Sequence, residues 1–332
     1  MTRSAENYKV AACLGLALCG VAFALAVGSE TVSRSRAFAM PASIDRLLLL
    51  SVRLPRVLLA VVIGAGLGVS GAALQALLRN ALAEPYVLGV SGGAALAATI
   101  ALLFGAGGAA VAMAPVTTLA AFAGGLFVTV TLLPLLRRFE GKSANVLLVG
   151  IVVNACASAF ITFLKTVVSA NKAQELLFWL TGFLDVPTWP ALFVTAASVT
   201  LGALVLVTDA RALETLGLGE ASAHALGVSV RAVSARTLVA CSLITAAVVA
   251  ISGLIGFVGL LVPHGARLLK IRGTRATLVA SAFLGMAVMA VCDGASRLLF
   301  RQVHTEIPVG ALTAMIGGPL FLVLLLRRGP QA

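Results

Sequence analysis

Arg53 and Arg56 stand three residues apart, and Asp293 and Arg297 stand four apart in acid-first order. On a helix each spacing places the two side chains on one face, and the second allows an intrahelical ion pair. These are groups for ionic recognition rather than bond-making. No pair of carboxylates, metal-like cluster or Ser-His-Asp set emerges, and His224, His264 and His304 fall in or near different loops. "EGKS" at 140–143 resembles the end of a phosphate loop, but the pattern needs glycine at 136 and the residue is Leu136. Cys13, Cys19, Cys156, Cys241 and Cys292 lie in apolar runs without CxxC spacing and read as buried structural thiols. The expectation is a chain without catalytic residues, resident metal or bound cofactor.

The elements that must position these residues are hydrophobic. Of 332 residues 60% are hydrophobic and 11% charged, and mean hydropathy is +1.09. A soluble domain carries about 25% charged residues, so too little polar surface exists here to face water. Continuous apolar runs of about 20 residues predict membrane-spanning helices, and the lack of alternation argues against a barrel. The fold class expected is all-α and polytopic, with spans at 8–28, 55–78, 89–106, 112–136, 145–168, 190–208, 233–251, 252–270, 275–300 and 309–327. The first is read as retained rather than as a signal peptide. "ISGLIGFVG" makes the boundary between the seventh and eighth the weakest, and its small residues fit either a turn or a segment that re-enters the membrane.

The net charge of +12 has its explanation in topology rather than nucleic acid, since no basic cluster has interleaved aromatics. With both termini cytoplasmic, most basic residues, among them Lys9, Arg79, Arg236, Arg267, Lys270 and Arg272, fall inside, as the positive-inside rule requires. Arg34, Arg36, Arg46, Arg53 and Arg56 run against that trend on the outer side. With Arg297 the last two could form an electropositive rim for a partner presenting carboxylates.

Gly64, Gly68, Ala72 and Ala76 recur every fourth residue in the second span, a ridge that allows close helix approach. Gln75, Asn154, Ser158 and Thr162 are neutral polar groups that could cross-link helices or line a path for a bulky solute. Residues 169–189 predict a short outer helix with Trp179 and Trp189 at headgroup depth. Residues 209–231 predict one or two short helices on the inner face, with Leu213, Leu216, Ala221 and Leu226 as the apolar stripe and Gly217, Gly219 and Gly227 as bends.

"RLPRVLLAVVIGAGLGVSGAALQALLRNALAEPYVLGVSGGAALA", "GLIGFVGLLVPHGARLL", "EIPVGALTAMIGGPLFLVLLL" and "LGLGEASAHALGV" resemble, in order, the signatures of permeases in type II ABC importers, which take up iron-siderophore complexes, haem and cobalamin. The resemblance covers nearly the whole chain. It departs at Asn80-Ala81, where the family commonly has Asn-Pro, and at Glu84, where it has Asp. It implies one permease domain over 1–332 with a coupling segment at 209–231, in the bacterial inner membrane. Two such chains, here a homodimer, would enclose one pathway above two ATPase subunits that carry ATP and Mg. An extracytoplasmic substrate-binding protein would dock through its acidic residues. By that resemblance Arg53, Arg56 and Arg297 are docking residues. Leu216, Glu220, Ala221, His224, Leu226 and Gly227 couple to the ATPase. Gln75, Asn154, Ser158 and Thr162 are, by their polar character, the candidates to line that path, and Ser143 and Ala144 match the family's Thr-Ser gate. The cargo implied is an iron complex, ferric siderophore or haem, with cobalamin as the alternative. An ion-coupled secondary transporter is the rival class, and the scarcity of charge within the spans speaks against it.

Overall fold

The fold is described from a computed structural model covering residues 3–28, 43–104, 110–138, 143–303, 305 and 307–327. Arg34, Arg36 and His304 lie outside the described residues. Among these residues every regular element is helical, with no strand. The elements are α1 (Arg3–Ala26), α2 (Ile44–Leu77), α3 (Val90–Phe104), α4 (Ala110–Arg138), α5 (Ser143–Val167), α6 (Ala170–Leu180) and α7 (Trp189–Thr208). They continue with α8 (Ala210–Gly217), α9 (Glu220–Ala225), α10 (Val230–Ser252), α11 (Val258–Leu268), α12 (Thr274–Val303) and α13 (Val309–Arg327).

Helix α2 is the axis. In its most apolar stretch 78% of residues are buried, against 22% in α5, so α2 is packed from all sides while α5 shows most of its surface. The small-residue ridge is the cause. Cβ atoms built at Gly64 and Gly68 would collide with the backbone carbonyls of Gly285 and Ser281 on α12, and one at Gly71 with the carbonyl of Gly259 on α11. Side-chain-free faces let the helices touch backbone to backbone, where lipid provides no hydrophobic drive for association. Helix α12 also carries α1, whose Gly20 sits against Ala287.

At its start α2 widens into a π-helical stretch at Leu48–Arg53, where Leu54 N–H bonds back five residues to Leu49 O. Pro55 follows at once and has no N–H to give the carbonyl four residues earlier. A wider turn accommodates that loss, and such turns recur at functional sites. It sets the direction in which Arg53 and Arg56 leave the helix.

One predicted crossing is interrupted, and another is preceded by a loop that packs beside it. The expected span 252–270 is not one helix: α10 ends at Ser252, residues 253–257 are irregular, and α11 has 11 residues. Gly253 closes α10 with φ +67, and Phe257 also takes a positive φ of 68, so the helix cannot run through. The predicted span 89–106 is present as α3, Val90–Phe104, up to the last described residue of that stretch. Ahead of it the chain passes Arg79 (φ 48), a turn in which Asn80 Oδ1 accepts Leu82 N–H, a 3-10 turn at Pro85–Leu88, and Gly89 (φ 84). Pro85 lies against Gly259, which itself approaches Leu67 O. The chain has therefore climbed back beside α2 by roughly 15 Å, at 1.5 Å per helical residue.

That loop and the interruption at 253–257 meet. Glu84 Oε1 accepts Phe257 N–H at 2.6 Å, so a carboxylate sits at the N-terminus of α11, where the helix dipole favours negative charge. Irregular backbone at this depth is tolerated only where protein covers it, and Ala83, Pro85, Leu88 and Ile255 are buried here.

Candidate functional site

At one end of the bundle the structure brings Arg53, Arg56 and Arg297 together. Arg56, from α2, donates Nε–H to Asp293 Oδ1 at 2.8 Å; Arg297, one turn beyond Asp293 on α12, donates to Oδ2 at 2.5 Å. Arg297 also donates to Ala24 O at 2.9 Å and Val27 O at 3.0 Å, and Arg53 to Leu25 O at 3.4 Å. These are the carbonyls that end α1, which carry the negative end of its dipole. The sequence reading gave the residues and the Asp293–Arg297 pair. It did not anticipate burial: Arg53, Arg56 and Arg297 are 7%, 8% and 6% exposed, and Asp293 is 0%. The guanidiniums clamp α1, α2 and α12 rather than standing free as a rim. Near this end, where α6 and α10 finish, a cavity of about 480 Å³ is lined by Phe178, Trp179, Phe183, Asp185, Ile251, Ser252 and Thr305.

The proposed path residues separate into two kinds. Gln75 is buried; its Nε2 reaches Gly259 O (3.4 Å) and Leu260 O (3.3 Å), and its Oε1 accepts from Arg267 at 2.6 Å. Asn154 accepts Gly92 N–H at 3.0 Å and donates to Tyr86 O at 2.7 Å. Both amides hold backbone: Gln75 ties α2 to α11, and Asn154 ties α5 to the first turn of α3 and to the 3-10 turn ahead of it. Ser158 and Thr162, one and two turns beyond Asn154, are exposed on α5, with Thr162 Oγ1 donating to Ser158 O at 2.8 Å. They form one stripe with Asn154. Cys156, Phe160, Phe163 and Val167 form another, bulkier exposed stripe on the same helix. Cys156 and Cys19 are thus exposed, unlike Cys13, Cys241 and Cys292, because they leave faces of α5 and α1 that turn away from the bundle. Ser143 and Ala144 open α5, and their side chains lie outside those described.

At the other end of the bundle, α8 and α9 bear out the expected pair of short helices with glycine bends, Gly219 at φ +115 and Gly227 at φ +76. The apolar stripe differs from the one expected. Leu213 and Leu216 point into the core, as does Ala223, whereas Ala221, His224, Leu226 and Gly227 are exposed. Leu216 is therefore a packing residue. Leu218, which the sequence reading missed, is 71% exposed, and Leu226 is 62% exposed. Only the phase of an eight-residue helix decides which leucine faces inward. Glu220 is half-buried and lies 3.9 Å from Arg79, at the end of α2. The segment is braced from behind by Asp209, which takes two hydrogen bonds from Arg236 at 2.8 and 3.0 Å. Lys9 Nζ donates to Lys270 O at 2.8 Å at this same end.

Among the described residues no group of three or more His, Cys, Asp or Glu side chains gathers into a metal-like cluster. The arrangement is a packed helical bundle with a charged clamp at one end and an exposed apolar pair at the other. Comparison with known proteins agrees with that form. The chain is 37% identical over 287 residues to the hemin transport system permease protein HmuU of Yersinia pestis, covering 85% of this chain and 84% of the relative. It is 38% identical over 294 residues to the vitamin B12 import system permease protein BtuC of Vibrio vulnificus, covering 87% and 86%. A solved structure described as an inward-facing conformation of a metal-chelate type ABC transporter superposes with a TM-score of 0.83 at 28% identity, over 97% of this chain and 99% of the other. The profile of the FecCD transport family matches residues 16–327, and the chain belongs to that family as a multi-pass membrane permease of ABC import.

Proposed function

We propose that this permease passes an iron complex, a ferric siderophore or haem, inward across the cytoplasmic membrane, driven by ATP hydrolysed on separate subunits. The carrying observation is that the bundle's two ends are furnished for different partners. The Leu218–Leu226 surface suits a cytoplasmic ATPase, and the arginine end suits the acidic face of a binding protein. Both termini then lie inside, with Lys9, Arg79, Arg236 and Lys270. The whole chain acts as one permease domain with 209–231 as its coupling segment, and two copies enclose the pathway. The ATPases hold the ATP and Mg; Arg53, Arg56 and Arg297 receive the binding protein. Similarity to a hemin transport permease, together with similarity to a metal-chelate type transporter, supports an iron complex. Cobalamin is the second reading, on the BtuC relatives.

Vesicles holding the full complex are expected to accumulate labelled haem or ferric siderophore with ATP and not with an ion gradient alone. Cobalamin uptake without iron-complex uptake would move the assignment to the second reading. Gradient-driven uptake without ATP would overturn the ABC mechanism for this chain.

Ser158 and Thr162 are proposed to face the pathway, the bulky stripe of α5 to face lipid or protein. A cysteine at Ser158→Cys, in a background with Cys156 and Cys19 replaced by serine, is expected to react with a charged thiol reagent at least about tenfold faster than native Cys156 in the matching background, because a thiolate forms only where water reaches. Equal rates would remove the pathway assignment of the Ser158 stripe.

A further inference from the structure

Asp293 is fully buried and gives one carboxylate oxygen to each of two guanidiniums from different helices, Arg56 at 2.8 Å and Arg297 at 2.5 Å. Arginine does not shed its charge. Holding an ion out of water costs several kcal/mol unless a counter-charge and hydrogen bonds replace the solvent. Asp293 supplies that counter-charge, and the terminal carbonyls of α1 take further bonds from Arg297. A carboxylate arriving from outside would offer these guanidiniums the same acceptor geometry that Asp293 offers, with two oxygens and four lone-pair sites.

We infer that Asp293 is a stand-in for a partner protein's carboxylate: in the free permease it keeps Arg56 and Arg297 turned inward, and an acidic partner competes with it for them. This rests on the docking role proposed above for Arg53, Arg56 and Arg297. Asp293 then acts as a positioning residue that sets how tightly the partner holds and how readily it leaves. A purely structural aspartate and a competing one behave oppositely when neutralised. Loss of the first weakens the fold and leaves docking unchanged or poorer, whereas loss of the second strengthens docking.

The test uses the full chain in lipid nanodiscs and a decaglutamate peptide as probe, with decaglutamine as control, titrated at several salt concentrations. Asp293→Asn is expected to bind decaglutamate about tenfold more tightly than wild type, with a steeper salt dependence, and Arg56→Gln more weakly than wild type. Should Asp293→Asn fail to fold, the comparison moves to Arg297→Gln against Arg297→Gln with Asp293→Asn, where one guanidinium fewer has to be balanced; the double variant is expected to bind more tightly. Wild-type binding that is unchanged or weakened by neutralising Asp293 overturns the competition and leaves the docking role standing. Failure of every form to prefer decaglutamate over decaglutamine overturns the docking role as well.

Discussion

Replacing Gly64 by leucine is expected to eliminate folded permease, and Gly64→Ala to lower its thermal stability severely. Even the single Cβ of alanine would fall on the Gly285 carbonyl and its carbon. Those are backbone atoms of α12, itself held between α1, α2 and α11, so no side chain can swing aside. Overpacking in a well-filled core costs about 1–3 kcal/mol where side chains can give way; here a helix must move. The expected loss for Gly64→Ala is more than about 3 kcal/mol. Gly15→Ala in α1 is the control: its Cβ would meet nothing within 4 Å, and alanine is a better helix former by about 1 kcal/mol. Fluorescence-detected size-exclusion and melting in detergent measure both. A Gly64→Ala protein as stable as the Gly15→Ala one would mean that α2 and α12 do not pack as described.

Replacing Leu218 and Leu226 together by serine is expected to cut ATP-driven uptake by more than about tenfold while the melting temperature stays unchanged. Burying a leucine against a partner gains about 1.5–3 kcal/mol, so two lost anchors should leave most complexes without their ATPase. Leu216→Ala is expected to act the other way round. Its side chain is 4% exposed within the core, and truncation should cost about 2–5 kcal/mol of folding stability before any contact with a partner is touched. ATPase co-purification and melting, measured on both variants, separate the two. Loss of the ATPase from Leu216→Ala alone, at full stability, would return Leu216 to the docking surface.

These two cases also mark what could be read from the chain directly. The Gly64–Gly68 ridge is visible because small residues at every fourth position have one economical use in a membrane helix; which helix it meets is a matter of tertiary pairing. The leucines of 209–231 are visible as an apolar stripe, but across a helix of only eight residues that ends at Gly217 the phase is undetermined, and Leu216 and Leu218, two positions apart, leave nearly opposite faces. The break at 253–257 is legible through the small residues of "ISGLIGFVG", but not its exact place, because an extended apolar run and a helical one have the same hydropathy. Nothing in the type of Phe257 announces its left-handed backbone. Arg56 and Arg297 could be grouped by family resemblance, but the acid that buries them lies 237 positions from Arg56, a distance over which periodicity carries no signal. Gln75 and Asn154 were recognisable as polar groups in apolar helices, and only their bonded carbonyls and amides reveal that they serve the scaffold.

The bond between Glu84 and Phe257 bears on how the protein is made. The ribosome delivers Glu84 and its ascending loop 173 residues before the amide that pairs with it. With 11 residues, α11 is too short to be threaded into the bilayer as an independent hydrophobic unit. The early half of the chain must therefore wait in the insertion machinery, or at its lateral gate, with an acidic side chain still lacking that amide, until the later half arrives to complete the crossing. A nascent chain arrested before residue 257 should remain sensitive to membrane quality-control proteases, and one extended past α11 should become resistant in a single step.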